Sequence, residues 1–88
     1  MSWNYRVIRK RMPQRSIEKY ECEPFYFQIY EVFYDENGIP DGWTAEPICP
    51  LGDTFEELKK DFSFYKEALN KPVLEVSPDG LTLIEVKE

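Results

Sequence analysis

Residues 25–34 read FYFQIYEVFY and run without a break into residues 35–38, DENG. Aromatic and β-branched types dominate the first stretch, and these suit a pleated surface. Successive side chains on a strand point to opposite faces. One face then carries Phe25, Phe27, Ile29 and Phe33, interrupted by Glu31; the other carries Tyr26, Gln28, Tyr30, Val32 and Tyr34. The phenylalanine face is the expected core, because a phenol tolerates partial exposure and a phenyl ring gains nothing from water. Apolar on both sides, this strand is also the expected centre of a sheet. Asn37-Gly38 favours the positive φ angles of a type I′ hairpin turn, so the chain should return through residues 39–45. Pro40 has no N–H to give a ladder, so the return strand is either frayed at its start or lies on an edge.

Working outward, residues 3–11 alternate as well, with Trp3, Tyr5 and Val7 against Asn4, Arg6 and Ile8. They read as a first strand that turns basic at its end. Residues 13–24 offer only Ile17 and Tyr20 as apolar anchors and read as a connection. Residues 46–52 are a proline-punctuated crossover. A strong helix start follows: Asp53 or Thr54 is suited to cap, with Glu56 or Glu57 reaching back. Phe55, Leu58, Phe62, Tyr65 and Leu69 then recur at helical spacing, one apolar stripe expected to lie on the sheet. Asn70-Lys71-Pro72 stops the helix. Residues 73–76 and 81–86 bracket the turn signal Ser77-Pro78-Asp79-Gly80 and predict a short C-terminal hairpin. The expected fold is one small α+β domain over residues 1–88, an antiparallel β-sheet with one α-helix packed on one face, in the order β-β-β-α-β(-β).

Composition removes several chemistries. The 88 residues include no histidine, so Ser-His-Asp catalysis and His-ligated zinc are excluded within one chain. Cys22 and Cys49 are too few for a structural zinc site and read as free thiols of a reducing cytoplasm, a single disulfide being the alternative. The first residues, MSWNYRVIRKRM, lack the apolar core of a signal peptide. No stretch approaches the length of a transmembrane helix. The net charge of −6 is unevenly placed: residues 1–20 carry +5 and residues 21–88 carry −11. An acidic body disfavours phosphate backbones and favours a basic partner.

The segment Pro50-Leu51-Gly52-Asp53-Thr54-Phe55-Glu56-Glu57-Leu58 resembles a pattern in HicB-like antitoxin domains, where a three-stranded meander ends in a Gly-Asp-Thr-x-x-Glu-Ala/Leu helix start and the helix packs back on the sheet. The resemblance covers roughly residues 3–75, and its sheet topology is shared with a truncated ribonuclease-H-like fold. It implies a bacterial, non-catalytic partner of a small basic RNA-cleaving toxin. Many such proteins continue into a DNA-binding helical segment; after Pro72 this chain has strand-like residues instead.

Four clusters are candidate sites. Tyr26, Tyr30, Tyr34 and Trp43 form an aromatic face suited to a protein partner or a second copy, since one helix covers only one side of a sheet. Arg6, Arg9, Lys10 and Arg11, with Trp3 and Tyr5 beside them, offer the alternative of a nucleic-acid contact, against the plainer reading of a solvated strand end. Asp35, Glu36, Asn37 and Asp41 carry oxygens for a hard cation but lack an EF-hand spacing. A carboxylate pair, for instance Glu31 with Asp61, is the remaining candidate, for acid–base work. The expected function is a non-enzymatic interaction or regulatory domain, with no catalytic residues, no metal, no cofactor and no membrane. Its expected partner is a protein, basic in the antitoxin-like case, or a second copy; nucleic acid is disfavoured.

Overall fold

The computed structural model describes residues 2–21 and 23–87. Its elements are β1 (Ser2–Arg11), α1 (Gln14–Tyr20), β2 (Phe25–Tyr34), β3 (Pro40–Trp43), α2 (Phe55–Ala68), β4 (Leu74–Val76) and β5 (Leu83–Glu85). The α+β class holds, and the C-terminal hairpin is present. Several features differ from the expected architecture. A second, short helix α1 occupies the stretch read as a connection. The sheet is mixed, not purely antiparallel, because β4 runs parallel to β1.

The strand order is β3-β2-β1-β4-β5, so β1 is the central strand and β2 lies one place out. β1 and β2 pair antiparallel along their full length, from Ser2 opposite Tyr34 to Arg11 opposite Phe25. β3 runs antiparallel to β2 and hence parallel to β1. Joining it to β4 on the far side of β1 needs a crossover, and α2 supplies it. Val32 faces Trp43 and Phe33 faces Gly42, with a register shift before Tyr34. The turn into β3 is not type I′. Gly38 has φ +78 but Asn37 has no positive φ. Gly38 N–H donates to the Asp35 carbonyl, Asp35 N–H donates to the Ile39 carbonyl, and the Asp35 side chain accepts from the N–H groups of Asn37 and Ile39. That is a turn closed by a glycine bulge, and the aspartate explains why it wins.

The sheet curls until its edge strands β3 and β5 touch. The core lies inside that curl. Ile8, Tyr30, Val32, Leu74 and Leu83 are buried together, with Tyr34, Trp43 and Val76 packed against them. The face of β2 that was expected to form the core is on the outside: Phe27 is 58% exposed, and Phe25, Ile29 and Phe33 are half-buried. Both faces of β2 are apolar, so alternation alone could not choose between them; the curl did.

Helix α2 packs on the outer face, mainly against β1. The Thr54 hydroxyl accepts from Glu57 N–H, and the Glu57 carboxylate accepts from Asp53 N–H. Gly52 sits against this first turn so closely that a Cβ there would run into the Leu58 backbone nitrogen. Gly52→Ala is therefore expected to lower stability by about 1–3 kcal/mol, the range for forced overpacking. The urea midpoint of the variant measures it, and an unchanged midpoint would refute the close approach.

Candidate interaction surfaces

The face that α2 turns to the sheet is not the whole predicted stripe. Tyr65 and Ala68 are buried, and Leu58 and Asp61 are half-buried. Phe55, Phe62 and Leu69 are 68%, 56% and 69% exposed. They recur every seven residues and so stand in one row along the helix. The apolar arc of α2 is wider than the strip of β1 beneath it, which offers Tyr5 and Val7.

Asp61 fixes the helix in this rotation. One carboxylate oxygen accepts from the Tyr5 hydroxyl and the other from Leu51 N–H, both at 2.9 Å. The Tyr5 ring meets Tyr65 edge-on at 4.8 Å between centroids. Burial, the Asp61 hydrogen bond and the charges of Asp61 and Glu31 push the Tyr5 phenol up to about 12; burial first, then Asp61, does the same to Tyr65. The structure thus brings Glu31 and Asp61 to one neighbourhood. Asp61 is engaged there as a clamp between helix, strand and loop.

Beside this clamp the outer surface is open. A groove of about 580 Å³ runs between α2 and β2, lined chiefly by Ile29, Phe62, Tyr65 and Leu69. A second hollow of about 450 Å³ lies between Phe27, Ile29, Pro47, Ile48 and Tyr65. The two share Ile29 and Tyr65 and form one apolar strip. Cys49, an exposed free thiol, borders it; Cys22 lies outside the described residues. On the other flank of α2, Trp3, Tyr5 and Phe64 line a smaller hollow of about 230 Å³.

The predicted tyrosine face lies elsewhere. Tyr30 is 3% exposed in the core, and Tyr34 and Trp43 pack against it. Tyr26 is half-buried on the same inner side. These four residues share a face, as expected, but the curl turns that face inward. The exposed apolar strip was missed because it needs both the inverted sheet and the rotated helix. The seven-residue repeat Phe55, Phe62, Leu69 was its one legible sign.

The basic strand is largely engaged. Arg6 is buried; it donates to the Tyr34 hydroxyl and the Pro72 carbonyl, at 3.0 and 2.7 Å. It is withdrawn from any surface contact. Arg9 pairs with Glu75 at 2.8 Å and lies over the Phe25 ring. Lys10 sits over Tyr30. Arg11 is exposed, with its guanidinium 5.6 Å from the Phe25 centroid. At the hairpin tip, Asp35 spends its oxygen on the turn, and among the described residues no cluster of three metal-ligating side chains forms. Among the described residues no helix is long and apolar enough to cross a membrane.

No family model, no curated protein and no solved structure matches this chain.

The raised phenols have a consequence for alkaline stability. An unfolded tyrosine loses its proton near 10, whereas folded Tyr5 and Tyr65 keep theirs to about 12. In that window the folded state holds more protons, so stability is full below pH 10 and falls as pH rises to 12. Tyr5→Phe is expected to cost about 0.5–1.5 kcal/mol at neutral pH for the lost hydrogen bond and to flatten the alkaline decline. Denaturant melts across pH 7 to 12, run on both proteins, check it; parallel declines would contradict it.

Proposed function

We propose that this chain is a non-enzymatic protein-interaction domain whose working surface is the apolar strip along α2 and β2. One observation carries the reading. The chain exposes 6730 Å², whereas a compact monomer of 10.5 kDa exposes about 5,400 Å². The difference, about 1,300 Å², exceeds the ~800 Å² that each partner contributes to an ordinary stable interface. Much of what is open is aromatic or aliphatic: Phe27, Phe55, Phe62 and Leu69. Clustered apolar exposure of this kind marks contact sites.

The resemblance to HicB-like antitoxin domains supports a regulatory role of the same type, with a small basic protein as target. The −11 of residues 21–88 favours such a target by steering. The nucleic-acid alternative, which used Arg6, Arg9, Lys10 and Arg11, is less well supported, because Arg6 is buried and Arg9 is already paired with Glu75.

A surface role for Phe62 separates from a core role by its energetics. Phe62→Ser is expected to shift stability by no more than about 0.5 kcal/mol, as for exposed sites; a buried phenylalanine would cost about 3–5 kcal/mol. A photo-crosslinking residue at position 62, expressed in the source cell, should give a discrete adduct with a polypeptide, while one at Asn37 on the hairpin tip should not. No adduct at position 62 would overturn the reading.

A further inference from the structure

The flank of α2 away from the apolar strip carries a different chemistry. Trp3 and Tyr5 are two apart on β1 and share a face. Phe64 and Glu67 are three apart on α2 and share a side; the turn that ends the helix, closed by Lys71 N–H on the Ala68 carbonyl, brings Lys71 to the same place. Packing of α2 on β1 gathers these five around the hollow of about 230 Å³. The ring centroids of Trp3, Tyr5 and Phe64 stand 5.6, 6.1 and 6.4 Å apart, and their planes meet at 40°, 77° and 59°. They make a near-equilateral triangle of non-parallel walls. A cation over its middle comes within about 6 Å of all three rings, the reach of a cation–π contact. The bowl is preformed: the Tyr5 hydroxyl is tied to Asp61, while Trp3 and Phe64 stay 52% and 39% exposed. Two opposite charges complete the lining. Glu67 is exposed and Lys71 half-buried, and among the described residues neither side chain has a hydrogen-bond or ion-pair partner.

We propose that this hollow binds a small zwitterion, a methylated ammonium joined to a carboxylate. The ammonium belongs over the rings. A trimethylammonium group has no N–H to satisfy, and π faces suit it, whereas a primary ammonium would leave its donors unmet there. Glu67 supplies the counter-charge. The carboxylate belongs on Lys71, which has no anion within the fold. A cation alone would meet the like charge of Lys71, and an anion alone would meet Glu67; a ligand bearing both charges satisfies both ends. One lysine matches the single charge of a carboxylate better than the higher charge of a phosphomonoester. The volume sets the size: drug-sized ligands take about 300–1,000 Å³, so the hollow suits a smaller molecule. The site lies apart from the strip along α2 and β2 and does not depend on the protein-interaction reading.

The test titrates the purified full chain at neutral pH and fixed ionic strength. It follows the indole N–H resonance of Trp3, which is identified by its loss in Trp3→Phe. The probes are trimethylglycine and γ-trimethylammoniobutyrate, each paired with the tert-butyl isostere that replaces the charged nitrogen by carbon. At least one zwitterion is expected to shift the resonance saturably with a Kd below about 10 mM. Its isostere should bind at least about tenfold more weakly, since each of three rings contributes about twofold or more. Glu67→Gln, at an exposed position, should weaken the zwitterion. Lys71→Gln should weaken the zwitterion but strengthen choline, which carries the cation without the carboxylate; a purely structural role for Lys71 would move both the same way. No saturable shift, equal binding of the isostere, or parallel changes for choline and the zwitterion in Lys71→Gln would overturn the site. Tighter binding of phosphocholine than of either zwitterion would overturn the assignment to a carboxylate.

Discussion

The curl of the sheet is the constraint on which the rest of this molecule depends. Ile8 and Val32 are fully buried although no helix covers them. They are sealed because β3 and β5 approach each other across the inner face, so that one sheet shields its own apolar side. A flat sheet would need a second layer to do this. Having buried its core internally, the sheet presents its outer face to α2 as a narrow platform, and the helix cannot hide its whole apolar arc there.

The outer side is held by directed contacts more than by area. Asp61 joins the Tyr5 hydroxyl to Leu51 N–H, Gly52 allows the loop to touch the first turn of α2, and Tyr5 stacks edge-on against Tyr65. These contacts set the rotation of the helix. The rotation in turn sends Phe55, Phe62 and Leu69 outward and opens the groove between α2 and β2. Candidate function follows from this geometry: the polar clamp determines which apolar residues remain for a partner.

Charge and shape point the same way. The basic strand, the obvious place for a polyanion, spends Arg6 inside the fold and Arg9 on Glu75. A buried guanidinium held by a tyrosine and a carbonyl serves the packing of β1 against Pro72 more than any outside contact. What stays open is apolar, flanked by Lys59 and Lys66 on the helix. Such a surface suits another polypeptide better than a phosphate chain.

Local structure was legible in the residues themselves. The ring-rich strand, the place of the turn after Asp35 though not its type, the Thr54 cap and the stop at Pro72 each depend on neighbours within a few positions, so sequence alone determined them. Helix α1 escaped notice because two turns anchored by Ile17 leave almost no periodic signal. Strand order, the parallel return of β4 and the identity of the core were decided only by tertiary structure. The reason is physical: β2 is apolar on both faces, α2 carries more apolar residues than one platform can cover, and alternation is silent about which side a curling sheet will enclose.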